Sequence, residues 1–332
     1  EARCVDAVSK TLEIPASEVS AMVSEAQGRW RFFAARSVQP EADAELVQGS
    51  LVGDHFRIVD CLGAGGFAAV YRAHHDVLGV DVALKVLLPA TRRGDPMADR
   101  RFVQEGRLCR TLAHRYITAV REVGRDPRAG PYIAMDLVSG KTLGEAVAFD
   151  APRPREAIVG LALQVLEGLE EAHRAGIVHR DVKPDNILIT QGPTCDEEVR
   201  LIDFGISKSS LTHPDDADAT AAGTVMGSLS YMSPEQALGN KLDGRSDLYS
   251  LAVVLYEALC GCLPYEIAPD AEDLCRAMVV KIVVEAPRDP RVVDPSMPTA
   301  LAETILRCLE KDPSARYETA RELREALAAS LI

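Results

Sequence analysis

The most chemically loaded stretch of the 332-residue chain is Ile177-Val178-His179-Arg180-Asp181-Val182-Lys183-Pro184-Asp185-Asn186-Ile187-Leu188-Ile189. Within it Asp181 can accept a hydroxyl proton, Lys183 can offset the charge of a phosphate in transfer, and the amide oxygen of Asn186 can bind a hard cation. Apolar runs bracket this polar loop, and a merely solvated charge cluster rarely sits between two buried runs. Seventeen residues beyond Asn186, Leu201-Ile202-Asp203-Phe204-Gly205 brings another carboxylate to the end of an apolar strand. Asp203 and Asn186 can share a magnesium ion, which offsets phosphate charge as a bond to phosphorus breaks.

Upstream lies Leu62-Gly63-Ala64-Gly65-Gly66-Phe67-Ala68-Ala69-Val70-Tyr71, a glycine-rich turn whose bare backbone amides suit phosphate oxygens. Dinucleotide binding would need a helix after the glycines; strand-like Val70–Ala73 and Val80–Val86 follow instead, so the loop caps a hairpin. By itself this segment is equally consistent with an ordinary glycine hairpin. Val82-Ala83-Leu84-Lys85 then sets a cation at the end of a strand that pairs back onto the loop. Twenty residues later Glu105 shares a predicted helix with Phe102, Leu108, Cys109 and Leu112, a spacing that puts its carboxylate on the buried face. Such a carboxylate needs a partner. Lys85 is the expected one, held toward nucleotide phosphates, with a purely structural salt bridge as the alternative.

Positioning these groups takes two textures of chain. Phe56–Leu62, Val70–Ala73 and Val80–Leu88 are short, rich in branched and aromatic residues and separated by glycine-bearing turns, which predicts a small antiparallel sheet. After Gly140 the apolar period becomes helical, at Ala157–His173, Asp247–Leu259 and Leu301–Leu309. Ahead of the sheet, Val19, Met22, Val23, Ala26, Trp30 and Phe33 recur at helical spacing, and an acidic stretch from Gln39 to Gly49 has the composition of a linker. No internal repeat is visible, which argues against a solenoid.

The bulk numbers set limits. A 332-residue chain that is 47% hydrophobic can fill one two-lobed domain or two ordinary ones. The apolar run Leu248–Leu263 is broken by Glu257 and Gly261 and reads as a buried helix, so no membrane span is expected. The N-terminal residues lack the pattern of a secretory signal, and a cytoplasmic location is the expectation. Of the eight cysteines the one close pair, Cys260 and Cys262, lacks a second pair at metal-ligand spacing; reduced, mostly buried thiols are expected. A net charge of -13 repels phosphate backbones, so nucleic acid is not an expected partner.

Taken together and in this order, the motifs resemble the eukaryotic-type (Hanks-type) serine/threonine protein kinase family, from about Gly53 to Leu327. The resemblance implies an α+β, bilobal protein kinase fold, with an antiparallel-sheet N-lobe and a mainly helical C-lobe. Residues 1–50 would be a helical extension and acidic linker, 51–138 the N-lobe and hinge, and 139–332 the C-lobe. It implies ATP as cofactor with Mg2+ (or Mn2+), and protein substrates bearing serine or threonine. Gly63, Gly65 and Gly66 would cover the phosphates. Leu62, Val70, Ala83 and Leu188 would enclose adenine, with Met135 as gatekeeper and the hinge from Asp136 to Val138. Lys85 would hold the α- and β-phosphates, oriented by Glu105. Asp181 would be the base, Lys183 the γ-phosphate contact, and Asn186 with Asp203 the metal ligands. Ser233-Pro234-Glu235 resembles the end of an activation segment, Asp247 the buried acid bracing the catalytic loop, and Arg316 the partner of Glu235. Lys183, two residues after the base, follows the serine/threonine pattern rather than the tyrosine one. The phrase Ser230-Tyr231-Met232-Ser233-Pro234-Glu235-Gln236 looks most like bacterial members.

Two departures stand out. Ala68 occupies the usual third glycine, where a methyl group is expected to alter nucleotide affinity without removing a charged group. Ser228 replaces the usual threonine and keeps the hydroxyl. A pseudokinase would normally lack Lys85, Asp181 or Asp203, and a small-molecule phosphotransferase would lack the Ser-Pro-Glu segment. The hydroxyl- and acid-rich segment from Ile206 to Met232 suggests a switch. A phosphate on Thr220, or second on Thr224, would pair with Arg180 and order the segment, through autophosphorylation between self-associating copies.

Overall fold

A computed structural model describes residues 46–65, 67–147, 153–192, 196–204, 229–265 and 274–331. The predicted N-terminal helices, Gly66, Gly205, Thr220, Thr224 and Ser228 lie outside the described residues.

Six strands form the first sheet: β1 (Leu51–Val52), β2 (Phe56–Ala64), β3 (Ala68–His75), β4 (Val80–Leu87), β5 (Val120–Asp126) and β6 (Gly130–Asp136). Their order is β1-β2-β3-β4-β6-β5 with every pair antiparallel. The sheet curls until its ends meet, since the Gly53 amide ahead of β2 donates to Asp126 at the end of β5 at 3.1 Å. Phe56, Tyr71, Leu84 and Tyr132 fill the curl. Between β4 and β5 run α1 (Pro89–Gly94) and α2 (Ala98–Cys109). The latter buries Ala98, Phe102, Val103, Gly106 and Cys109, the three-and-four spacing of one helical face. Gly106 is where the helix meets the sheet: a β-carbon there would lie 2.7 Å from Ile133 Cδ1 on β6. Leu108, expected on this buried face, is half exposed at 49%. It lies about 100° around the helix from Cys109, enough to turn it off the contact.

A three-stranded sheet follows, β7 (Lys141–Thr142), β8 (Ile187–Gln191) and β9 (Glu197–Leu201), in that spatial order. The helical lobe contains α3 (Leu143–Ala146), α4 (Arg155–Arg174), α5 (Pro234–Ala237), α6 (Gly244–Cys260), α7 (Leu274–Val284), α8 (Pro290–Val293), α9 (Thr299–Cys308) and α10 (Ala320–Ala329). The long predicted helices are therefore α4, α6 and α9, each starting two or three residues earlier than its apolar period. α6 starts on the Asp243 cap and stops at Gly261, whose φ of +70° suits a left-handed C-terminal residue. Residues 246–256 of α6 are all buried, so its apolar run faces protein on every side. No helix among the described residues is long and apolar enough to cross a membrane. One buried cluster joins both lobes, from Leu87, Phe102 and Ile133 through Leu201 and Phe204 to Leu166, Leu251 and Tyr256. Cys61, Cys109, Cys260, Cys262 and Cys308 are free thiols.

Candidate active site

The strand register carries the first part of the site. Gly63 pairs with Val70, Val70 with Lys85, and Lys85 with Ile133, so the ammonium of Lys85 starts two strands from the glycine turn. Ala83 pairs with Met135 in the same ladder, and both are buried. Leu62 is exposed, while Val70 and Leu188 are half-buried. At the turn, the Gly65 amide donates to the carbonyl of Ala68 at 3.0 Å. Ala68 itself pairs with Leu87 and belongs to the buried cluster, so its methyl group has apolar company.

The polar loop is held from beneath by one carboxylate. Asp247, 1% exposed on α6, accepts the backbone N–H groups of His179 and Arg180, each at 2.8 Å, and Nε2 of His173 at 2.7 Å. Burial pushes the Asp247 carboxyl up, but the hydrogen bond and charge of His173 with the His179 amide outweigh it and hold it below the ordinary value. Gly244 makes room for this contact, since a β-carbon there would strike the His173 ring at 2.6 Å. Arg180 is left with φ of +65° and Asp203 with +52°, strained values for non-glycine residues. His179 is fully buried, and desolvation lowers its pKa; Nε2 donates to the Ile202 carbonyl at 3.1 Å. Its ring lies against Phe204 with centroids 4.4 Å apart.

Asp181, Lys183 and Asn186 meet in this loop. The Asn186 amide nitrogen donates to the Asp181 carbonyl at 2.7 Å and to its carboxylate at 3.0 Å, and Lys183 Nζ lies 3.4 Å from the same carboxylate oxygen. With its nitrogen committed to Asp181, Asn186 keeps its amide oxygen for another partner. The Ile202 amide donates to the Asn186 carbonyl at 3.0 Å, tying the loop to the segment that carries Asp203. Asn186 and Asp203 together offer hard oxygen donors, the set that suits Mg2+ or Mn2+ rather than a soft metal.

The cations meet partners that were not expected. Lys85 Nζ contacts Asp203 Oδ1 at 2.8 Å, and Glu105 Oε1 faces Arg180 at 3.6 Å, contacts that the expectation of a pair between Lys85 and Glu105 did not include. Asp247 holds only the backbone of Arg180, which leaves the side chain to reach Glu105. Behind these pairs is a cavity of about 240 Å³ lined by Glu105, Cys109, Ile177, Arg180 and Phe204 among others. Arg180 Nε is buried there with no hydrogen-bond partner among the described residues.

Two contacts were invisible in the sequence. Gln236 closes a capping box with Ser233 at the start of α5 and also donates to the Arg180 carbonyl at 2.9 Å. Tyr231 donates to Glu257 at 2.6 Å. The expected pair of Glu235 and Arg316 is formed twice over, at 2.8 Å each, with Ser246 donating to the same carboxylate at 2.6 Å. Burial raises the Glu235 carboxyl, but Arg316 and Ser246 hold it below its ordinary value.

Residues 56–328 match the family model for the protein kinase domain. The chain is 37% identical over 287 residues to the serine/threonine-protein kinase Pkn1 of Myxococcus xanthus, covering 86% of this chain and 40% of that protein. It is 36% identical over 279 residues to the serine/threonine-protein kinase PknB of Mycobacterium leprae, covering 83% of this chain and 43% of that one. The chain thus spans about two fifths of the length of these curated relatives. Among solved structures, the PknI kinase domain of Mycobacterium tuberculosis superposes with a TM-score of 0.66 at 28% identity, over 86% of this chain and 100% of that domain.

Proposed function

This chain belongs to the protein kinase domain family, and from that premise we propose that it transfers the γ-phosphate of ATP to serine or threonine hydroxyls of proteins. The observation that carries the reading is the convergence of Lys183 and Asn186 on the Asp181 carboxylate, at 3.4 and 3.0 Å, on a loop fixed from below by Asp247. In this reading Asp181 takes the hydroxyl proton as the new oxygen–phosphorus bond forms and the bond to the departing ADP breaks. Lys183 faces the γ-phosphate and limits the charge on Asp181 by lying beside it. Lys85 holds the α- and β-phosphates, and the backbone of Gly63, Gly65 and Gly66 covers them. Leu62, Val70, Ala83 and Leu188 sandwich adenine, Met135 bounds the pocket, and the backbone from Asp136 to Val138 receives its edge. Asn186 and Asp203 would hold Mg2+ or Mn2+, which would supply neutralisation of phosphate charge.

Regulation follows from the same residues. Arg180 has Glu105 as its carboxylate partner. A phosphate on Thr220 or Thr224 would offer Arg180 a stronger anion, with about -1.5 to -2 charges. Glu105 would then be released toward Lys85. Autophosphorylation between two copies is the proposed route.

The test is transfer of labelled γ-phosphate to the chain itself and to basic-protein and aminoglycoside acceptors, beside an Asp181→Asn control, with products mapped by mass spectrometry. Serine or threonine products that vanish in the control are expected. ATP binding without transfer would leave a binding scaffold, and transfer to the antibiotic alone would make it a small-molecule phosphotransferase. If the active protein carries no phosphate between Ser207 and Ser230, the switch is absent.

A further inference from the structure

Where the curled sheet closes, far from the nucleotide end, three side chains that the kinase chemistry does not use converge. His55 precedes β2, His75 ends β3 and Glu122 lies on β5. One ligand-capable atom from each falls within 4.8 Å of the other two. His55 Nε2 and Glu122 Oε2 are 3.1 Å apart, close to the spacing of two ligands on one tetrahedral ion with bonds near 2.0–2.1 Å. The two imidazoles lie with centroids 4.5 Å apart and planes inclined by 37°. All three residues are half-buried, so the group is sheltered and still reachable from solvent.

We propose that His55, His75 and Glu122 form a binding site for a divalent transition-metal ion of the zinc class. The donor set decides the class. Two imidazoles with one carboxylate suit zinc and its neighbours, whereas magnesium and calcium call for oxygen ligands throughout. Three protein ligands leave a fourth position for water. Glu122 is already oriented toward such an ion, because its other oxygen, Oε1, accepts the Tyr132 hydroxyl at 2.7 Å and so leaves Oε2 toward the histidines. Tyr132 rises from the core of the curled sheet, so the site is anchored from within. Phe56 backs the His55 ring at 4.3 Å.

The location gives the ion a structural role. The sheet order puts β2 and β3 on one side and β5 at the opposite edge, and a hydrogen bond from Gly53 to Asp126 already spans the gap. An ion on these three residues would clip the two sides of the curl together. The site also lies at the opposite end of the β2–β3 hairpin from the glycine turn, roughly 20 Å away by strand rise. It is therefore separate from Asn186 and Asp203 and draws on different donors.

The competing arrangement is hydrogen bonding alone, with His55 on Glu122 and the Val77 and Leu78 amides on His75 Nδ1 at 3.3 Å each. Those amide contacts are long, and coordination through the other ring nitrogen would place a proton on Nδ1 and give them up. Hydrogen bonding alone predicts no metal affinity. The untagged full chain, stripped with EDTA, is titrated with Zn2+ against a chromophoric chelator in millimolar Mg2+. His55→Gln, His75→Gln and Glu122→Gln are run in parallel, with melting in EDTA confirming that each is folded. One equivalent is expected in the wild type and none at this affinity in the variants. A hundredfold excess over Kd should raise the wild-type Tm by roughly 4 °C. No binding, or binding unchanged in the variants, overturns the site. If a variant fails to fold, Co2+ on the wild type decides. Tetrahedral visible bands without thiolate charge transfer support the site, and a thiolate band overturns it, because these three ligands include no cysteine.

Discussion

The charged pairs beneath the catalytic loop and those in the seam between the lobes are built differently. Asp247 and Glu235 are each buried and each receive three hydrogen bonds of 2.6–2.8 Å. In the seam, Glu105 meets Arg180 at 3.6 Å, and Asp203, 30% exposed in its side chain, meets Lys85 at 2.8 Å. Breaking a saturated buried carboxylate leaves a charge with nothing to replace the lost partner, at several kcal/mol. Exchanging partners in a partly wet seam costs far less, because one cation can stand in for another. The braces thus fix geometry, while the seam can change which cation serves which carboxylate. Lys85, which the proposed chemistry sets on the nucleotide, and Arg180, on which the proposed regulation turns, both stand in the seam.

The sharpest way to break this contrast is Asp203→Ala. Transfer should fall by roughly 10³-fold or more through loss of a metal ligand, while Tm moves by no more than about 2 °C. Near-normal turnover, measured with labelled ATP, would remove the seam from the chemistry.

Arg316→Met examines the opposite side. It strands Glu235 as an unpaired buried carboxylate and should cost about 3–5 kcal/mol in urea unfolding. Adding Glu235→Leu should recover most of that loss. A single-variant cost under about 1 kcal/mol would make the brace no stronger than a surface pair.

A smaller effect is expected for Glu105→Gln, about tenfold in kcat/KM with melting nearly unchanged, because its proposed working partner Lys85 serves the nucleotide. Equal destabilisation of Glu105→Gln and Lys85→Met with activity surviving in both would mark the seam as structural.

The smallest effect concerns Lys311, whose ammonium donates to Tyr265 and to the Ile282 carbonyl at 2.7 Å each, beside the Arg316 brace. Burial first, then the Arg316 charge, lower its pKa from 10.5 to about 7. Between these values the unfolded chain binds more protons than the folded one, so this residue makes stability rise with pH across the window. Comparing Tm at about pH 7 and 9, the wild type should gain a few degrees relative to Lys311→Met. Parallel melting curves would show that Lys311 keeps its ordinary affinity for protons.

Much of the architecture was legible because it rests on local periodicity. The predicted strands at Phe56, Val70 and Val80 and the long helices α4, α6 and α9 all appear within a few residues of their expected limits. β5 and β6 were not anticipated, since Val120–Asp126 alternates poorly and is interrupted by charges. The convergence of Asp181, Lys183 and Asn186 was also readable, because all three lie within six residues of one loop.

The partners of Lys85 and Glu105 were another matter. Their strand and helix could be placed from pattern alone, but which cation meets which carboxylate depends on the seating of α2 against β6 at Gly106 and on two strained turns at Arg180 and Asp203. The same holds for His55, His75 and Glu122, which stand up to 67 positions apart and show no shared spacing in the sequence. Side-chain type and spacing fix which chemistry a chain can carry, because those follow from covalent structure and local period. Pairing among distant charges is settled by distances of a few ångströms, and those exist only once the sheet has curled and the two lobes have packed.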